Sequence, residues 1–160
     1  MPSVVSDTGP LIALATIDQI GLLCDLFGEI LIPPAVRAEI LDVNTVNAVT
    51  AADWVVVRAV QDEIAVQLLR DELDAGESEA IVLARELNAD LLLIDDRSAR
   101  HRADTIKLST IGTLGVLLLA KTEGLVPALE PLLDDLRHAG FHMSDQLYDQ
   151  VLDSAGEKRQ

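Results

Sequence analysis

The stretch "VVSDTGPLIAL", residues 4–14, is a short apolar run that stops on Asp7 before a helix-like pattern begins at Pro10. The event recurs in "DLLLIDDRSAR", residues 90–100, where Leu91 to Ile94 run into Asp95 and Asp96. Brief apolar or β-branched runs bounded in this way are the signature of strands buried on both faces. Further runs lie at 30–32, 54–57 and 106–111, and helical periodicities fill the intervals. They cover 10–26 with a break near Asp18, then 34–42, 61–72, 76–88, 97–104 and 113–123. Strand–helix alternation predicts an α/β fold, a parallel sheet of about five strands with helices on both faces. After Val126 the pattern turns helical, with one segment ending at Gly140 and a second at Gly156.

Composition agrees with this architecture. At 160 residues the chain fits one domain, read as an α/β core at 1–126 carrying C-terminal helices at 127–160. Nearly half the residues are apolar, yet Phe27, Trp54, Phe141 and Tyr148 are the whole aromatic complement. The interior must therefore be built from Leu, Ile, Val and Ala. Cys24 stands alone, which excludes an internal disulfide and a thiolate metal cluster and fits a reducing compartment. No apolar stretch approaches the ~18 residues of a membrane span, and no basic start precedes an apolar core, so a cytoplasmic protein is expected. Twelve Lys and Arg against 27 Asp and Glu give a net charge of −15, unpromising for a phosphate-binding surface and suited to basic partners. Residues 42–53, "DVNTVNAVTAAD", have no clear period and read as a loop or a helix extension.

Ligands of open parallel sheets bind beyond the carboxyl ends of the strands, the edge to which Asp7, Asp95 and Asp96 belong. Each of these acids has a competing role as the cap of the helix that follows. In "PPAVRAEILDV", residues 33–43, an apolar stripe of Val36, Ile40 and Val43 puts Glu39 at its border, from where it can reach inward. Glu77 shares a stripe with Ile81 and Ala84, although its spacing from Asp74 also suits a capping box. Glu79 and Glu86 read as surface charge. Capping accounts for such acids one at a time and gives no reason for several elements to supply them together. A hard cation such as Mg²⁺ does, because it takes oxygen ligands and leaves positions for phosphate oxygens.

In these residues the chain resembles the PIN domain family, in particular its small VapC-like prokaryotic branch. The resemblance rests on "VVSDTGPLIAL", "ILIPPAVRAEI" at 30–40, "LDAGESEAIVLAREL" at 73–87, "LLLIDDRSAR" at 91–100 and "STIGTLGVLLLAKTEGLV" at 109–126. It implies a three-layer α/β/α fold and a ribonuclease dependent on Mg²⁺ or Mn²⁺, often the toxin of a toxin–antitoxin pair. By position, Asp7, Glu39, Glu77, Asp95 and Asp96 match the family's acids, with Asp7, Glu77, Asp95 and Asp96 as metal ligands. Thr8 matches a hydroxyl position near the metal, whereas Gly9 departs from the branch's usual serine.

The reaction expected of such a site is phosphodiester hydrolysis assisted by one or two cations. Arg97, Arg100 and Arg102, with His101 among them, follow the late acid pair and are candidate contacts for RNA phosphates, or ordinary solvated helix charges. With so few aromatics, strong sequence readout by base stacking is not expected. The expected partners are an antitoxin with a basic segment entering the acidic pocket and a second copy of the chain, joined through the N-terminal helices or the Leu-rich 114–119 run. Two rivals remain. A phospho-acceptor receiver domain would carry its paired acids after the first strand, and here they come late. A catalytically idle PIN-like module would bind nucleic acid or protein without turnover.

Overall fold

The computed structural model describes residues 2–158. Five parallel strands, β1 (Val4–Ser6), β2 (Ile30–Ile32), β3 (Val55–Val57), β4 (Leu91–Leu93) and β5 (Thr110–Ile111), form one sheet in the order β3-β2-β1-β4-β5. Registers Val5↔Leu31 and Ser6↔Leu93 put β1 at the centre. The inner strands are buried along their length, which is why they read as unbroken apolar runs. Each fully buried Ile or Leu contributes roughly 1.5–3 kcal/mol of apolar burial.

Between the strands lie α1 (Thr8–Thr16), α2 (Gly21–Phe27), α3 (Pro34–Glu39), α4 (Val43–Ala51), α5 (Glu63–Leu69), α6 (Ala75–Glu86), α7 (Arg97–Thr105) and α8 (Thr113–Thr122). Helices α3, α5 and α7 pack around α6 on one face of the sheet; α1, α2, α4 and α8 associate on the other. The result is the three-layer α/β/α arrangement. The break near Asp18 is real, since Asp18 adopts φ 58° and ends α1 in a left-handed turn. No single helix among the described residues is long and apolar enough to cross a membrane.

One segment resolves differently from its sequence pattern. Residues 42–53 are neither loop nor extension, because α3 stops at Glu39 and α4 starts afresh. Asp42 is the reason: its carboxylate accepts from the Thr45 backbone N–H at 2.8 Å and hydroxyl at 2.6 Å, an N-cap that begins a new helix. The expected stripe therefore breaks, with Ile40 buried and Val43 74% exposed.

The C-terminal helices α9 (Glu130–His138) and α10 (Asp145–Ser154) end near Gly140 and Gly156, both at positive φ. They are tied to the core by Glu157, which accepts from Lys121 Nζ at 2.8 Å and from the Leu129 and Glu130 backbone N–H groups at 2.7 and 3.2 Å.

Candidate active site

Strand order reverses between β1 and β4, and that switch point is where open α/β sheets bind ligands. Asp7 follows β1 directly, its N–H donating to Leu93 O at 2.8 Å, so the first acid and the 95/96 pair emerge side by side. Asp7 occupies the N-cap position of α1 yet makes no capping bond. Its residue is 6% exposed, and Oδ1 is buried without a hydrogen-bond partner among the described residues. Burial above all, and then the negative charges of Glu77, Asp74 and Glu39, push its carboxyl up to about 7. The capping explanation fails for this residue.

Glu39 reaches inward at the end of α3. Its Oε1 accepts from the Gly76 N–H at 3.1 Å, while Oε2 is buried and unpartnered. Burial and the neighbouring Asp74 raise its carboxyl, opposed in part by the Arg70 guanidinium. Glycine at 76 leaves room for the Glu39 carboxylate, on which a Cβ there would press. A second carboxylate clamps the same pair of helices: Glu79 of α6, read from sequence as surface charge, accepts from the Ala35 N–H at 3.0 Å and so fixes the start of α3. Glu86 likewise holds the Gln61 and Asp62 backbone.

For Glu77 and Asp96 the local explanation holds as well. Asp74 and Glu77 form a reciprocal capping box at the start of α6, and Asp96 caps α7 through the Ala99 N–H at 2.9 Å. Capping does not remove them from the cluster. Burial raises the Glu77 carboxyl, and Asp74, Asp96 and Glu39 add to the effect. Asp95 is held differently, with Oδ1 accepting from the Thr113 N–H and Oδ2 from the Thr113 hydroxyl, each at 2.7 Å. The buried hydroxyl of Thr8 lies close to the Glu39 carboxyl without a well-formed hydrogen bond.

Asp7, Glu39, Glu77, Asp95 and Asp96 thus gather at one sheet edge. Asp74 joins them and sequence reasoning left it out, although "DAGE" carries the signal; the roles of Gly76 and Thr113 needed tertiary structure. The donor chemistry, several carboxylates with two unpartnered buried oxygens, fits a hard divalent cation. The geometry is open, since no three His, Cys, Asp or Glu side chains among the described residues stand close enough to grip one ion.

The arginines divide. Arg97 and Arg100 line an open groove of about 850 Å³ beside Asp95. Arg102 turns to Glu72 at 3.8 Å. The Leu-rich run faces inward at Val116 and Leu117; large exposed apolar residues lie instead at Leu41, Val43, Ile64 and Leu68, around the α3–α4 junction and on α5.

A family model for the PIN domain matches residues 3–157. Among solved structures, a PilT N-terminus domain protein from the hyperthermophilic archaeon Sulfolobus solfataricus P2 is 20% identical, covering 88% of this chain and 96% of its own, with a TM-score of 0.46. No curated protein matches the chain.

Proposed function

The chain belongs to the PIN domain family, whose members are generally metal-dependent nucleases, and we propose that it is a Mg²⁺- or Mn²⁺-dependent endoribonuclease, the toxin of a toxin–antitoxin pair. The observation that carries this reading is Asp7, a buried carboxylate with an unpartnered oxygen facing other acids. Burying a charge without a partner is costly unless a cation joins it.

Asp7 and Glu39 would hold the cation through their free oxygens, with Glu77 and Asp96 completing the negative surround and Asp95 presented by Thr113. When bound, such an ion polarises a phosphodiester, lowers the pKa of a water and stabilises the leaving oxygen. The residues' own part is orientation. Thr113 fixes the Asp95 carboxylate, Gly76 and Glu79 fix Glu39 against α6, and the buried Thr8 hydroxyl stands beside the Glu39 carboxyl. Glu39 also helps orient the attacking water. A basic antitoxin segment would satisfy the same carboxylates, and a homodimer would cover part of the exposed apolar surface.

One observation favours the idle binding module as a second reading: Asp95, Asp96 and Glu77 already spend oxygens on backbone or Thr113 bonds. RNA cleavage separates the two. The nuclease cuts RNA only with Mg²⁺ or Mn²⁺ and loses activity in Asp7→Asn and Asp95→Asn; metal-independent cutting, or none by the wild type, rejects it.

A further inference from the structure

We propose that the groove beside Asp95 is a nucleotide subsite, in which a base of single-stranded RNA stacks on Phe141 while Arg97 and Arg100 hold the adjoining phosphates. The inference rests on the nuclease reading and extends it to residues outside the acid cluster. Three observations carry it.

The groove brings two arginines and two histidines beside two acids, a local balance in a chain of net charge −15. Arg97, Arg100 and His101 come from α7, and His142 joins them from the segment between α9 and α10; Asp104 is the acid on the same wall besides Asp95. Neither arginine forms an ion pair with a described residue, whereas Arg102 and Arg137 are committed to Glu72 and Asp145. Guanidinium groups left unpaired amid so many carboxylates are available to an external anion.

The groove also reaches Asp95, the member of the acid cluster that lines it. Its junction is Gly112, where a Cβ would lie 2.7 Å from Asp95 Oδ1 and 3.2 Å from Arg100 Nη1. Asp95 and Arg100 thus flank the same glycine at the mouth of the groove.

The third observation is Phe141. It stands far from the acids in sequence, yet the tail brings it, half-buried, into the wall of this groove. An aromatic face beside phosphate-binding groups is how proteins hold unpaired bases, and about 850 Å³ is ample for a nucleotide. One such stack is sequence-tolerant and agrees with the expectation of weak sequence readout.

The test is binding of a fluorescent eight-nucleotide RNA in chelator, where cleavage plays no role. Phe141→Ala should weaken binding about tenfold and Phe141→Tyr restore it. Arg97→Gln and Arg100→Gln should each flatten the dependence of log Kd on log salt by about 0.7. In Phe141→Trp carrying Trp54→Phe, added RNA should quench the indole emission, and this readout stands if Phe141→Ala proves unstable. Unchanged affinity in Phe141→Ala together with unquenched Phe141→Trp overturns the proposal, as does preference for a Glu-rich peptide of equal charge. Wild-type protein that cuts RNA with Mn²⁺ while showing either result retains the nuclease function and loses the subsite.

Discussion

Thr113 grips Asp95 twice, its backbone N–H reaching Oδ1 and its hydroxyl reaching Oδ2, both at 2.7 Å. The start of α8 thereby orients a carboxylate that belongs to the end of β4. Residues that orient metal-site carboxylates commonly cost 10–100-fold in activity when removed. Thr113→Val, which keeps size and the N–H, should lose about 10-fold or more in RNA cleavage and in Mn²⁺ affinity, and Thr113→Ser should recover both. Equal loss in the serine variant would mean that the packing of this buried side chain, rather than its hydroxyl alone, sets the effect.

Asp7 makes the apoprotein's stability depend on pH. Its carboxyl holds a proton up to about 7 in the folded chain against 3.8 as a free side chain. Between those values the folded state binds more protons, so the contribution is complete below about 4 and is lost as pH rises towards 7. The loss amounts to a few kcal/mol. Asp7→Asn removes it. In chelator, the variant should melt well above wild type at pH 8, with the difference shrinking towards pH 4.5, measured by circular dichroism. Parallel melting curves across that range would place Asp7 in water.

Divalent metal should narrow that gap. At 100 times Kd, Mn²⁺ should add about 2.7 kcal/mol to the wild type, a rise of roughly 5–10 °C, and almost nothing to Asp7→Asn. Gly76→Ala is the subtler case: its Cβ meets Glu39 Oε1, the mobile end of a side chain, so the fold survives and the carboxylate is displaced. We expect a small change in metal-free Tm and a loss of the Mn²⁺ shift. Titration by differential scanning fluorimetry reads both.

Glu157 is the anchor of the tail. Three donors converge on its carboxylate and hold it below the usual range despite the cost of burial. Glu157→Ala leaves two backbone N–H groups at the start of α9 without their acceptor, a cost of roughly 1–3 kcal/mol. Because the folded pKa is depressed, the wild-type advantage persists at neutral pH and fades as pH falls below the free glutamate value of 4.5. Limited proteolysis should cut the variant between α9 and α10 well before the wild type.

Much of this was legible before any coordinates. Apolar runs ending in Asp7 and Asp95 mark strand ends, because an ionised group cannot continue a buried strand, and parallel topology then puts those ends together. Glu39 could be aimed inward from its place beside Val36 and Ile40. The break after Glu39 was missed because it uses neither glycine nor proline; Asp42 and Thr45 begin a new helix by capping, a weaker mark in sequence. Asp74 was read as a capping residue and is one, but it also faces Asp7 and Glu39. Phe141 in the groove was beyond reach, since only the packing of the tail against α8 carries it there. The Leu-rich 114–119 run divides, with Val116 and Leu117 buried and Leu114, Leu118 and Leu119 half-buried, a split that its composition does not show.

The sheet order has a further consequence. The pocket draws on the end of the first strand, the third and sixth helices, the end of the fourth strand and the start of the eighth helix, so no contiguous fragment holds it. A growing polypeptide has Asp7 outside the ribosome long before Thr113 is made. The nascent chain thus cannot assemble the acid cluster with its Thr113 support until the start of α8 has been made.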